Sequence, residues 1–413
     1  MIIKEVFARK IKDSRGEPTI EVFVNNSKSS SPSGKSTGKY ETPPYFNSLN
    51  WNINFINKQK FSLQINNFSD LLKIESFIKK KTGLKDIKQF GANALFALES
   101  AALKALAKSQ KKELWEVINP KSKKIPIPLG NVIGGGLHSN NKNHPTFQEF
   151  LIIPRLNSAE KNIILMMNIH KKIKNIINSN SENDEGAWNT DLNEDQILKI
   201  LSRFKDIDIG VDVAASSFFD AKILDKPRTS VRGESWTSKN PDKLRTSVRS
   251  KTQGFFDKGK YKYNNKALDP KAQINYINSL IEEYNILYIE DPLQEEDFNG
   301  FSRIIKKNLV SGDDLTATQI LRLKRAIKNN SINAMIIKPN QNGSLLELKE
   351  IFGICRKNKI KTILSHRSGE TLDDSLADYA VGFEADFIKC GIATKWRKVK
   401  LKRLIHIEKS IAK

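Results

Sequence analysis

Apolar and polar positions alternate at the start of the chain. "IIKEVFARKI", the turn "DSRG" and "PTIEVFVN" predict strand, turn and strand. The stretch that follows, to about residue 60, keeps no period and reads as loop. "FGANALFALESAALKALAKS" at 90–109 then predicts a helix whose many alanines favour close packing. Residues 1–124 therefore read as a small α+β domain. From "IPIPLGNVIGGG" onward the pattern changes to short apolar runs followed by helical segments, and residues 125–413 read as a second, larger unit.

Five of those runs end on a polar or charged residue: "IDIGVD" at Asp212, "ILYIE" at Glu290, "LVSGD" at Asp313, "INAMIIK" at Lys338 and "TILSH" at His366. A sixth, weaker run, "DFIK", ends at Lys389. From Glu290 on the intervals are 23, 25, 28 and 23 residues, the length of one strand-plus-helix unit. Such regularity predicts a (β/α) barrel, in which the carboxyl ends of successive strands meet at one mouth. The interval of 78 residues from Asp212 to Glu290 breaks the rhythm. It contains a direct repeat, "DKPRTSVR" at 225–232 and "DKLRTSVR" at 242–249, bracketed by two copies of "FFD". Removing one copy of "FFD" with everything between the two deletes 37 residues and shortens the interval to 41, so residues 221–257 read as an insertion in a surface connection.

Composition adds limits. No apolar run reaches 18 residues and the first residues lack an apolar leader core, so a soluble, non-secreted, cytoplasmic protein is expected, with no membrane partner. Two cysteines, Cys355 and Cys390, make no disulfide framework. The formal charge of +23 raises the question of a nucleic-acid partner, yet lysine is spread along the whole chain instead of clustered. Only "TKWRKVKLKRLIHIEKS" is locally dense, and the spacing of Val399, Leu401, Leu404 and Ile405 makes it first an amphipathic helix.

Asp212, Glu290 and Asp313 at successive strand ends would repel one another in one mouth. A hard cation such as Mg²⁺ suits an all-oxygen set of this kind, and an ion network with Lys338 and Lys389 is the alternative. Burial and a nearby dication would lower the pKa of Lys338 and make it a candidate base. Glu185 and Glu149 are candidates for the acid. The run "SPSGKSTGKYE" at 31–41 resembles a phosphate-gripping P-loop, but Ser29 stands where that motif needs Gly, and no apolar strand leads into it.

With these residues in place the chain resembles the enolase family over nearly its full length outside the insertion. The matching segments are "DSRGEPTIEV", "PSGKSTGKYE", "FGANA", "NVIGGGLH", "QEFLIIP", "NDEG", "DVAASSFF", "IEDPLQEEDF", "GDDLTAT", "IIKPNQNGSL" and "LSHRSGETLDD". The resemblance implies an α+β N-terminal domain on an eight-stranded TIM barrel with an antiparallel start. It also implies reversible dehydration of 2-phosphoglycerate to phosphoenolpyruvate, and assembly as a homodimer or an octamer. By the same resemblance two Mg²⁺ ions serve the site. Asp212, Glu290 and Asp313 would hold the first, and Ser36 in the mobile 31–41 loop would hold the second, which arrives with substrate. Lys338 would be the C2 base, Lys389 a partner of the substrate carboxylate, and Glu185 the general acid with Glu149 assisting. Arg367 and Ser368 would grip the phosphate, while His138, Gln148 and His366 would close on the substrate or support the acid. The 31–41 loop then becomes a lid with Gly34 and Gly38 as hinges. Two other readings compete: an enolase-fold protein kept for RNA or polyanion binding, and an acid-sugar dehydratase of the wider superfamily, against which "SHRSGE" and the Ser36 loop count.

Overall fold

The computed structural model describes residues 1–35, 38–139, 141–221 and 259–412. Strands β1 (Val6–Lys12) and β2 (Pro18–Val24) pair antiparallel across the "DSRG" turn, with Val6 opposite Val24, and β3 (Ser27–Ser30) joins the far side of β2. The Ala-rich helix Ala92–Ser109 packs on β2 and β3 with almost every side chain buried, as its small residues allow. The expected loop before residue 60 is only partly loop, because Leu49–Lys58 is a helix. Ser48 begins it by accepting a hydrogen bond from Trp51 N at 3.1 Å. Its inner face carries Asn52, whose amide donates to Phe90 O at 2.8 Å, so hydrophobic periodicity alone could not reveal it.

β4 (Ile127–Gly134), β5 (Glu149–Pro154) and β6 (Ile207–Asp212) begin the barrel. A small sheet of β7 (Phe219–Asp220), β8 (Lys260–Lys262) and β9 (Ala267–Leu268) follows. β10 (Tyr288–Glu290), β11 (Leu309–Gly312), β12 (Ala334–Ile337), β13 (Lys361–Ser365) and β14 (Phe387–Lys389) complete it. The eight barrel strands close in the order β10-β11-β12-β13-β14-β4-β5-β6. β5 runs antiparallel to both neighbours and every other pairing is parallel, which is the antiparallel start the resemblance implies. Apart from Ala221, the insertion expected at 221–257 lies outside the described residues. No helix among the described residues is long and apolar enough to cross a membrane.

The barrel is filled by Leu129, Leu151, Ile153, Tyr288, Ala334, Ile336, Ile363 and Phe387. The intervening residues, such as Val211, Ile289, Met335 and Leu364, point to the surrounding helices. The C-terminal helix Lys395–Ile411 is amphipathic as expected, with one change. Its buried face contains Arg397 and Lys400 beside Leu401, Leu404 and Ile407, while Val399 and Ile405 are only half-buried. Both cations have partners inside: Lys400 pairs with Glu370 at 2.7 Å, and Arg397 donates to Ser368 O at 3.0 Å.

Two buried carboxyls dock the N-terminal domain on the barrel. Glu75 Oε1 accepts from Ser344 Oγ at 2.6 Å and Glu99 Oε2 from Leu345 N at 2.7 Å, both at the start of helix Leu345–Lys357. Beside them Gly343, at φ +95°, lies so close to Ala92 that a Cβ would come 2.6 Å from its Cα. Burial first, and then the nearby Glu75 charge, raise the Glu99 pKa well above the usual carboxyl range. A raised carboxyl pKa contributes stability in acid that is lost as pH climbs through the folded-state value. Glu99→Gln should therefore melt higher than the parent at pH 8 by a margin that shrinks toward pH 5, and a margin independent of pH would refute the assignment.

Candidate active site

Strand pleating places the site. Glu149, Asp212, Glu290, Asp313, Lys338 and Lys389 each stand two residues from an interior barrel position: Leu151, Gly210, Tyr288, Ser311, Ile336 and Phe387. With a side-chain period of two, all six point into the same mouth, one layer above the packed interior. Glu149 belongs to this layer although it begins its strand, because β5 runs the opposite way and its first residue pairs with Asp212. Glu290 also pairs with Asp212 on the other side.

The layer is rich in buried negative charge, and two ammonium groups hold it. Lys389 Nζ lies 2.7 Å from Glu149, 2.7 Å from Glu290 and 3.2 Å from Asp212. Lys338 Nζ pairs with Asp313. Even so, burial raises Asp212 to about 6 and, together with the Asp212 charge, Glu290 to about 8. For Lys338 burial alone would lower the pKa, but Asp313 outweighs it and the value is raised. Burial thus acts in the direction expected from the sequence, and the Asp313 pair reverses it. A buried Glu290 oxygen, Oε1, makes no hydrogen bond, and carboxylates outnumber their cations, so the donor set fits a hard dication. Among the described residues, the triplets whose ligand atoms fall within 4.8 Å of one another are His138 with Glu149 and Glu185, and Asp291 with Asp313 and Asp314; Asp212, Glu290 and Asp313 do not form one.

Glu185 comes from a loop, not a strand. Asn183 shapes that loop by accepting from Glu185 N and Ala187 N, both at 3.0 Å, and it lies against Gly134 at the end of β4, where a Cβ would be 2.2 Å from its amide nitrogen. Gly186, at φ +81°, completes the turn. The buried Glu185 carboxyl faces two imidazoles, His366 Nε2 at 3.7 Å and His138 Nδ1 at 3.9 Å. Burial lowers the pKa of His138 to about 4 and holds that of His366 well below its usual value, so both rings are neutral at pH 7. Gln148 sits beside Asp212, its side chain donating to Asp212 Oδ2 at 3.4 Å.

The loop after β13 supplies Arg367 and Ser368. The buried Arg367 guanidinium pairs with Glu41 at 2.9 Å, and Ser368 Oγ accepts from Lys35 N at 2.7 Å. Both partners belong to the 31–41 loop, and Ser33 and Gly369 exchange backbone hydrogen bonds at 2.7 and 2.9 Å. Ser36 lies outside the described residues.

Several supporting groups had no periodic signal. Tyr288 reaches up from the interior layer to donate to Glu290 at 2.6 Å. Asp291 accepts from Asp313 N at 3.0 Å and Asp314 N at 2.7 Å and so shapes the next strand's loop. Thr318 bridges Lys338 N and Gln341, and Gln341 donates to Asp313 at 3.3 Å. Ala214, Asp291, Ala317 and Thr318 hold positive φ of 47°, 39°, 46° and 50°. These non-glycine outliers cluster in the mouth loops, each costing about 1–3 kcal/mol that the barrel must offset.

Comparison with known proteins agrees with this geometry. A family model described as "Enolase, N-terminal domain" matches residues 3–118, and "Enolase, C-terminal TIM barrel domain" matches residues 122–250 and 251–413. Proteins named "Enolase" from Methanocorpusculum labreanum and Picrophilus torridus are each 32% identical to the chain, over 98% and 99% of both partners. One from Saccharolobus solfataricus is 31% identical over 98% of this chain and 95% of its own. The chain belongs to the enolase family, whose members are carbon-oxygen lyases, the phosphopyruvate hydratases.

Proposed function

We propose that the chain is a working enolase that interconverts 2-phosphoglycerate and phosphoenolpyruvate in glycolysis and gluconeogenesis, with Lys338 as the C2 base and Glu185 as the general acid. The observation that carries this reading is the single layer of buried Glu149, Asp212, Glu290, Asp313 and Lys389 and half-buried Lys338, with Arg367 and Ser368 on the adjoining β13 loop. Few other chemistries need carboxylates, ammonium groups and an anion grip in one dry mouth.

The residues divide the reaction as follows. Arg367 offers a guanidinium fork to the phosphate, and Ser368 offers a hydroxyl. Lys338, in its neutral form, takes the C2 proton, and the electron pair is delocalised toward the substrate carboxylate, which Lys389 faces. As the C2–C3 double bond forms, the C3–O bond breaks and Glu185 gives its proton to the departing hydroxide, releasing water. His138 and His366 face this carboxyl as neutral imidazoles. Glu149 and Gln148 line the same side.

Enolases generally use Mg²⁺; here Asp212, Glu290 and Asp313 would hold a first ion, and Ser36 a second that comes with substrate. Magnesium supplies positive charge against the negative charge that grows on the substrate carboxylate. A homodimeric or octameric assembly and a cytoplasmic setting are carried over from the resemblance alone. A polyanion-binding role is not favoured, since the densest basic segment turns Arg397 and Lys400 inward.

Three experiments test the reading. Lys338→Ala should lower phosphoenolpyruvate formation by about 10²–10⁴-fold and abolish exchange of the C2 hydrogen with deuterated solvent, whereas Glu185→Gln should lose dehydration but keep that exchange. A parent chain without Mg²⁺-dependent turnover defeats the proposal. Mg²⁺ at a hundredfold excess over its dissociation constant should stabilise the parent by about 2.7 kcal/mol in thermal melts, and Asp313→Asn should remove most of that gain. Ser36→Ala should cut turnover while leaving the melting midpoint in place; equal losses in both would place Ser36 in folding instead.

A further inference from the structure

The helix Lys395–Ile411 packs its first turn against the β13 loop that carries Arg367 and Ser368, and that turn contains an arginine. Arg397 is the largest fully buried side chain among the described residues. Its Nη2 donates to Ser368 O at 3.0 Å and to Arg367 O at 3.4 Å, while Nη1 donates to Thr394 Oγ1 at 3.5 Å. Its Nε makes no hydrogen bond among the described residues. Gly391, at φ +70°, leaves room for the stem, since a Cβ there would lie 2.9 Å from Arg397 Cγ.

A guanidinium in that place weakens the fold unless something else compensates its charge. All its acceptors are neutral, and the nearby carboxylates are taken: Glu41 pairs with Arg367 at 2.9 Å and Glu370 with Lys400 at 2.7 Å. Around this loop three buried cations therefore meet two carboxylates, and one positive charge is in excess. The helix adds to the excess, because its N-terminus carries partial positive charge and its first turn holds no acidic residue. Burying an unpaired cation costs free energy, so the fold alone gives no reason to keep it. An anion bound on the loop does.

The charge also reaches the mouth. Burial first, and the Arg397 charge next, hold the pKa of His366, the residue before Arg367, well below its usual value. The two carbonyls that Arg397 binds belong to the residues assigned to the phosphate. Left free, their negative dipole ends would oppose an anion there; bonded to Arg397, they are neutralised.

We propose that Arg397 is a positioning residue for the phosphate end of the substrate: it holds the Arg367–Ser368 backbone from behind, and its unpaired charge attracts a bound phosphate that it does not touch. This rests on the enolase reading above and extends it to a residue outside the mouth. Arginine suits the task because two carbonyls and a hydroxyl share one rigid fork.

The test uses the full chain with Mg²⁺. Arg397→Gln, Arg397→Lys and Glu370→Gln are compared with the parent for KM, kcat, melting midpoint and, by calorimetry, the dissociation constant of inorganic phosphate. Arg397→Gln should raise KM for 2-phosphoglycerate and the phosphate constant together, each about tenfold, the effect of one buried charge acting across a loop, with kcat falling less. Arg397→Lys should fall between Arg397→Gln and the parent. Glu370→Gln leaves the Lys400 charge unpaired behind the same loop and should tighten phosphate binding by about threefold, a direction that loosened packing would not produce. If Arg397→Gln fails to fold, Arg397→Lys and Glu370→Gln carry the comparison. Variants that melt lower but bind phosphate and substrate as the parent does would overturn this inference alone. A parent chain without Mg²⁺-dependent turnover would overturn the enolase reading, and this inference with it.

Discussion

The constraint on which the mouth of this barrel depends is the cost of burying carboxylates faster than they can be neutralised. Glu149, Asp212 and Glu290 share one ammonium, Lys389, and Asp313 has Lys338. Each charge removed from water costs several kcal/mol after relaxation, and one lysine among three acids cannot offset that fully. The upward shifts of Asp212 and Glu290 register the deficit. A layer of this kind is poorly suited to stabilising a fold, since well-packed apolar groups would serve better there. Its value lies in chemistry that brings its own positive charge, and the fold around it must be rigid enough to keep like charges together.

Rigidity comes from the barrel interior and from the backbone that leaves it. Tyr288, under Glu290 and opposite the Cβ-free Gly210, fills the interior layer and at the same time supplies a hydroxyl to the carboxylate above. Asp291 uses both its oxygens to hold the backbone of Asp313 and Asp314. Side chains in a pleated strand cannot drift between faces, so the charged layer inherits the order of the apolar layer below it. The reversed β5 extends this logic. Turning one strand around brings its first residue, Glu149, to the mouth, and the loop between β4 and β5 then delivers His138 to the same side.

How much of this was legible in the sequence depended on whether position followed from period. Asp212, Glu290, Asp313, Lys338 and Lys389 could be read from apolar runs ending in charge at regular intervals, because strand length and pleat fix both spacing and direction. Glu185, His138 and Gln148 could not, since their loops obey no period; Glu185 is aimed by Asn183 and Gly134, a contact between segments about fifty residues apart. Glu185 stood only as one candidate acid among the carboxylates, and His138 and Gln148 came from the family resemblance alone. Helix Leu49–Lys58 was missed because its buried face centres on Asn52, and an amide satisfied by the Phe90 carbonyl looks polar in a sequence. The buried face of helix Lys395–Ile411 was legible only in part: Leu401 and Leu404 were expected there, but Arg397 and Lys400 join them because the carbonyls of Ser368 and Thr371 accept from them. Tertiary hydrogen bonds, not propensity, decide which face of such a helix turns inward.

The two domains divide the work between holding charge and framing the mouth. The barrel fixes charge, and each of its site residues is held by strand pairing or by a neighbouring loop. The N-terminal domain is attached tightly to it: Glu75 and Glu99 grip the start of helix Leu345–Lys357, and Gly343 admits Ala92 at close range. This arrangement matters because a lid can register on a phosphate site only if its base is fixed to the same body as that site. Loop closure by a segment hinged on a loosely docked domain would spend binding energy on aligning the domains before any reached the substrate. Here the docking contacts, the Ser33–Gly369 bridge and the Glu41–Arg367 pair fix both ends of the loop to the barrel before substrate arrives.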